Sequence, residues 1–435
     1  MASSVPVLIL GGGLAGLSAA RHLRSPFRLI ERASKVGGHA VTVEEESYRF
    51  DRTGHLLHVT DPEMLGLVRG LLGDQLLSIE RQSRVWSHGV YTHYPFQANV
   101  FGLPADVARE CVAGFVRAHF ARGQSEPRDF EEFVLARFGE GIARHFMVPY
   151  NEKMWGVHPR EITAEWCSRF VPLPTLDDVV RGAAGAPARA LGYNATFLYP
   201  KRGIGALPEA LAHGLRGVHT SRTPVRIDLV ARTVHLEDGE SIGFDVLLST
   251  IPLKTLVGLC KGAPPEIGAA ADLLRCNPLY YLDVALTTAA RVDWHWAYVP
   301  EPDVPFYRVG CYSNFSSALV PAGGGSLYVE LASRTEPDLP GLWPRVLAAL
   351  VRMGVVQGPS DVRFVRMRRV EFAYVVFDHR CYASVEAIRP WLAENRILST
   401  GRYGGWNYSA MGDALAMGKD AARAAEQLLQ SPDHS

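Results

Sequence analysis

The chain has 435 residues, 47% of them hydrophobic, with 45 basic residues balanced by 45 acidic ones. That length exceeds one simple core and suits two or three lobes, while a net charge of zero leaves no global field to recruit nucleic acid or an anionic membrane. Cys111, Cys167, Cys260, Cys276, Cys311 and Cys381 lie far apart with no CxxC pair or Cys/His ligand spacing, which argues against a metal site and for buried thiols in a reducing, cytoplasmic setting. The N-terminus lacks a basic leader and its apolar run breaks into glycines, so neither a signal peptide nor an integral membrane segment is expected.

Val7 to Leu10 predict a short buried strand, and GGGLAG follows it directly. Gly11, Gly13 and Gly16 supply a tight turn, a close approach to a pyrophosphate and a helix–sheet contact, with Leu14 and Ala15 at the start of the helix whose free N–H groups face the phosphates. The next strand, FRLIE, ends on Glu31, placed to accept hydrogen bonds from both ribose hydroxyls of an adenosine without a 2′-phosphate. A dinucleotide site follows. Glu31 then runs into RASKVGGHA, where Gly37 and Gly38 leave room for phosphates and Arg32 and Lys35 add positive charge; a nicotinamide dehydrogenase has no need of this extension, so FAD is the expected cofactor.

Further along, SYRFDRTGHLLHVTD returns the chain toward the cofactor, and residues 62 to 82 read as helical. From Ala105 to Arg144 apolar residues recur at three and four spacing, with Asp129 as an N-cap, which predicts a helical lobe. Residues 181 to 203 read as a loop rich in Gly, Ala and Pro. Alternating helix and strand over 204 to 250 end in FDVLLSTIP, residues 276 to 333 have strand periodicity, and RILSTGRY leads through a glycine-rich turn into a last helix, after which the final five or so residues read as disordered. The expected class is α/β: a Rossmann-type, glutathione reductase-like FAD domain from 1–90, 181–260 and 386–430, a helical lobe at 91–180, and an antiparallel substrate sheet at 261–385.

The motifs GGGLAG, VGGHA, TGHLLH, YPFQANVFGLP, EEFVLARFGEGIARHFMVPYNEKMWG and REITAEWCSRF resemble those of the UDP-galactopyranose mutase family, within the flavin amine oxidase and protoporphyrinogen oxidase superfamily. The resemblance implies that Trp155 lines a sugar pocket, that Arg169 and Arg308 clamp a nucleoside diphosphate, and that His58 lies against the flavin. It places Tyr374 and Asp378 near sugar and phosphates. It gives His39, Gly38, His55, Val225, Gly401, Arg402 and Met411 as cofactor contacts, with Tyr403 beside them, and Tyr193 and Tyr199 as further candidates. Leu331 stands where the family has a tyrosine, and the loop from 181 to 198 differs from the family's closing loop.

In that family reduced flavin N5 attacks the anomeric carbon, nucleoside diphosphate leaves, and the ring recloses through another hydroxyl, so no Ser-His-Asp set or carboxylate pair is required. The function this implies is interconversion of NDP-hexopyranose and NDP-hexofuranose on a nucleotide-sugar substrate. The alternative is an oxidoreductase of the amine oxidase or desaturase type, because YNATFLYPKRGIGALPEAL also resembles those enzymes. With no nicotinamide site of its own, a separate reductase or direct reduction by NAD(P)H is expected to keep the flavin reduced, and a homodimer stands among the assemblies left open.

Overall fold

Val7, Leu8, Ile9 and Leu10 are all fully buried, as a strand covered on both faces requires. Their side chains alternate between two apolar clusters. Leu8 and Leu10 join one that continues through Leu253, Leu256, Ile388 and Leu392 into the helical lobe, whereas Val7 and Ile9 join one made with the helices Leu14–His22, Pro62–Leu72 and Met411–Gln430. The computed structural model describes residues 3–121, 126–186, 191, 195–331, 333 and 335–431. The expected disorder after residue 430 falls almost wholly outside the described residues.

The strand Ser3–Leu10 lies between two parallel neighbours, Ser241–Ser249 and Phe27–Ile30, and Val218–His219 extends the sheet in parallel beyond the latter. On the other side, Ser241–Ser249 is bordered along its first half by the antiparallel strand Thr233–Leu236 and along its second half by the parallel strand Ile397–Ser399. This sheet therefore collects residues from the beginning, middle and end of the chain. A second sheet of seven strands runs in the order Val362–Val375, Cys276–Leu286, Gly325–Leu331, Arg308–Cys311, Trp296–Tyr298, Ser83–Ser87 and Val90–His93. Its pairings are antiparallel except for Trp296–Tyr298 against Ser83–Ser87.

The helical lobe contains Ala105–Phe120 and Phe130–Ile142, the second capped by Asp129, whose Oδ1 accepts from the Glu132 N–H at 2.9 Å. The two helices touch through glycine: a Cβ on Gly141 would stand 2.3 Å from the Glu110 carbonyl oxygen. The lobe continues through Val148–Trp155, which ends at Gly156 in the left-handed region, φ 61°.

Two expectations need correction, and one cause covers both. The helix expected over 62 to 82 is only Pro62–Leu72, because Gly73 at φ 51° ends it and Leu76–Glu80 continues as a strand. The loop expected over 181 to 203 contains the strand Thr196–Pro200. These two strands pair with each other, Leu77 opposite Tyr199, across more than a hundred residues of chain. Neither is long enough to announce itself; each becomes a strand by meeting the other.

Candidate active site

The glycine motif builds a cradle at the N-terminus of Leu14–His22. Gly11 has φ 99°, and a Cβ there would lie 2.4 Å from Thr250 Oγ1; one on Gly16 would lie 2.0 Å from the Gly11 carbonyl oxygen. Those two glycines are required by the chain itself. Gly13 is different: its backbone is extended, φ −74° and ψ −178°, and a Cβ would meet nothing nearer than Gly38 Cα at 3.9 Å. As the N-cap it offers no side chain to the helix, so the first N–H groups stay open toward the space in front of it. Gly37 lies alongside, its N–H donating to the Gly12 carbonyl at 2.8 Å. Glu31, buried at the end of Phe27–Ile30, accepts from the Gly12 N–H and the Ala33 N–H, each at 2.7 Å. At the same cradle Gly401 has φ 78°, and a Cβ there would come within 2.8 Å of Ala15 Cβ, so the turn before Met411–Gln430 is pressed against the first helix.

Beyond the cradle two histidines sit among three arginines. His39 is fixed by Nε2, which donates to the Phe372 carbonyl at 3.0 Å, and its Nδ1 is buried without a partner. His55 also has a buried, unpartnered Nδ1. Burial, reinforced by His55, Arg52 and Arg402, pushes His39 down to about 3; burial, with Arg402, Arg308 and Arg52 adding to it, pushes His55 down to about 4. Both rings are neutral near pH 7, and His39 therefore presents a lone pair. Because the folded pKa lies below the unfolded value of about 6.5, the unfolded chain binds the extra protons between pH 6.5 and 4, and the histidines' contribution to stability falls as pH drops through that window. His39→Gln is expected to make the loss of unfolding free energy across this range shallower, by up to ~1.4 kcal/mol per pH unit, in urea titrations at a series of pH values.

The second sheet brings in the other half of the site. Arg308 stands directly opposite Glu330 in the strand pairing, donates from Nε to Oε2 at 2.8 Å and from Nη2 to Oε1 at 2.7 Å, and places Nη2 3.4 Å from the Tyr374 hydroxyl. Glu330 is fully buried. Burial works against the charge on Arg308, but the Glu330 carboxylate more than offsets it and holds the guanidinium protonated. Tyr307 donates to the Tyr374 hydroxyl at 3.4 Å, and the Tyr374 ring meets that of Trp155 edge-on at 5.5 Å. Trp155 is fully buried, yet its indole Nε1 has no partner. Arg402 donates to the Ser409 carbonyl at 2.6 Å and lies 4.8 Å over the Tyr408 ring, which also touches Trp155. Arg308, Tyr374 and Trp155 thus form one chain of contacts that reaches Arg402 through Tyr408, and His55 lies within the field of Arg308 and Arg402.

Other candidates occupy different positions. His58 lies three residues after His55, and its carbonyl is where a Cβ on Gly412 would strike, 2.5 Å away, so it abuts the start of Met411–Gln430. Arg32 is exposed just after Glu31. Val225 is 49% exposed on Pro224–Asp228, shortly after Arg222, whose N–H donates to the Glu31 carbonyl at 2.9 Å. Asp378 caps the helix His379–Glu394 by accepting from Cys381 N–H at 2.9 Å. Tyr199 donates to buried Asp51 at 2.5 Å, beneath the turn that carries His55. Arg169 lies in the short helix Cys167–Phe170; its side chain, like the whole of Tyr193, lies outside the described residues.

Sequence reasoning missed Glu330. The one carboxylate inside the buried strand GSLYVEL was its signal. The diphosphate fork expected at Arg308 is taken on its Nε–Nη2 edge by that carboxylate, which leaves the Nη1 end. Among the described residues no helix is long and apolar enough to cross a membrane.

The chain is similar along 98% of its length, and 96% of the other's, to the crystal structure of reduced UDP-galactopyranose mutase, at 27% identity and a TM-score of 0.92. It also shares its fold, at 17% identity and a TM-score of 0.73, with a putative protoporphyrinogen oxidase from Exiguobacterium sp. 255-15, covering 98% of this chain and all of that one. Among curated relatives, dTDP-fucopyranose mutase of Escherichia coli is 25% identical over 190 residues, 40% of this chain and 47% of that protein, so the match spans about half the relative's length. An FAD fits the cradle: Glu31 faces it at the strand end, Gly13 leaves it open, and the helix N-terminus is uncapped. The family model for flavin containing amine oxidoreductase matches residues 14–425, and the chain belongs to that family.

Proposed function

We propose that the protein is an FAD-dependent nucleotide-sugar mutase that interconverts the pyranose and furanose forms of a UDP-galactose-like sugar. The observation that carries this reading is Arg308, locked to buried Glu330 and in contact with Tyr374, whose ring packs on Trp155, in a chain that is similar to a UDP-galactopyranose mutase over 98% of its length. When bound, reduced flavin supplies an electron pair for the anomeric carbon with no net redox change. The protein's own work is electrostatic. A guanidinium has five N–H donors; with two given to Glu330, the Nη1 end of Arg308 is free to hold an oxygen of the departing diphosphate, and its orientation is set before substrate arrives. Arg169 serves as the second clamp. The Tyr374 hydroxyl, already beside Arg308, offers a polar contact to the sugar, and the Trp155 and Tyr408 rings behind it form an aromatic wall that excludes water. Neutral His39 offers its Nδ1 lone pair to the cofactor.

The test is direct. Dithionite-reduced protein is incubated anaerobically with UDP-galactopyranose and, separately, dTDP-fucopyranose, and the products are resolved by chromatography against furanose standards. Ring interconversion by the reduced protein alone is the expected result. No interconversion with either sugar, together with bleaching of oxidised flavin by an amine, would replace this reading with the oxidoreductase one.

A further inference from the structure

Lys153 has no part in the chemistry just described, and its surroundings are unusual for a lysine. It lies in the last turn of Val148–Trp155, partly buried, and its ammonium points at three backbone carbonyls: Val299 at 2.9 Å, Glu301 at 2.9 Å and Phe306 at 2.5 Å. Among the described residues no carboxylate pairs with it; the Glu301 carboxylate accepts instead from the His88 N–H at 2.5 Å. Three acceptors match the three hydrogens of an ammonium.

The reason for this arrangement is in the sequence of the loop. VPEPDVPF, residues 299–306, has prolines at 300, 302 and 305, and a proline has no N–H to give. The loop keeps only sparse internal bonds, Val304 N–H to the Glu301 carbonyl at 3.2 Å and Val299 N–H to the Tyr307 carbonyl at 2.8 Å. Its inward carbonyls need donors from elsewhere, since a buried unpaired carbonyl is costly. Lys153 supplies them. Two residues after Lys153 comes Trp155; directly after Phe306 come Tyr307 and Arg308. One ammonium thus ties the helix that ends at Trp155 to the loop that leads into Tyr307 and Arg308.

We propose that Lys153 is a positioning residue that fastens the 299–306 loop to the helix bearing Trp155, and so holds Tyr307 and Arg308 at their distance from Trp155 for binding a nucleoside diphosphate. The binding half of this inference rests on the mutase reading; the fastening half does not.

The experiment compares the holoprotein with Lys153→Met and Lys153→Arg by hydrogen–deuterium exchange, and measures UDP affinity and FAD content of each. Lys153→Met is expected to speed exchange at Val299, Val304 and Tyr307 tenfold or more, to leave Val7 to Leu10 unchanged, and to weaken UDP tenfold or more at full FAD content. Lys153→Arg, which keeps charge and donors, is expected to restore most of both. Equal protection of 299–307 in wild type and Lys153→Met would overturn the fastening; faster exchange with unaltered UDP affinity would overturn the positioning. If Lys153→Met does not fold, Lys153→Gln, with two donors and no charge, is judged by the same criteria. Failure of the wild type to bind UDP would instead count against the mutase reading, while the exchange data still decide whether the lysine fastens the loop.

Discussion

Arg308→Ala is expected to lower turnover of the nucleotide sugar by two to three orders of magnitude and, separately, to destabilise the fold. The first effect is the loss of a preorganised donor to the leaving group, roughly 3–4 kcal/mol of transition-state stabilisation. The second follows from Glu330, fully buried in a strand and held by two charge-assisted bonds to Arg308. Removing one member of such a pair leaves the other buried and uncompensated, which costs about 3–5 kcal/mol. The two effects can be separated. Replacing both residues at once, Arg308→Met with Glu330→Leu, removes the stranded charge and is expected to recover most of the lost stability in urea melts, because well-packed apolar residues commonly match a buried ion pair. It is expected to recover none of the turnover. A double variant with restored turnover would show that Arg308 acts only through the fold.

Gly13→Val is expected to yield a folded protein that has lost its flavin. The backbone at Gly13 is in an extended conformation that valine adopts readily, and a Cβ there has 3.9 Å of clearance to its nearest neighbour, so the chain alone has no need of glycine at this position. A ligand phosphate approaching the open N–H groups does need it. Purified Gly13→Val should therefore melt close to the flavin-free wild type while showing flavin absorbance near zero. The control is Gly16→Val, whose Cβ would sit 2.0 Å from the Gly11 carbonyl oxygen and which should fail to fold with or without cofactor. Retention of flavin at wild-type level by Gly13→Val would place the dinucleotide elsewhere.

The sequence alone was enough for everything built within a few residues. The turn, helix start and acidic strand end of the cradle all lie between Val7 and Glu31, and Glu31 meets the Gly12 N–H through a single βαβ unit, so the motif dictates the geometry. The Asp129 cap, the helices after it and the long strand Cys276–Leu286 were legible for the same reason: capping and periodicity act locally. Arg308 was named by the family resemblance of the motifs.

What the tertiary structure decided was pairing. Strand register puts Arg308 opposite Glu330, 22 residues away, and so turns an expected diphosphate fork into a guanidinium with one edge already engaged. Register likewise made strands of Leu76–Glu80 and Thr196–Pro200, which carry too little local preference to be extended alone. His55 came within the field of Arg308 and Arg402 on a turn that follows Asp51, itself anchored by Tyr199 from a distant strand. Lys153 found its three carbonyls about 150 residues further along the chain. Each of these depends on which segments meet after the chain has closed, and a contact between remote segments leaves no periodic trace in either one.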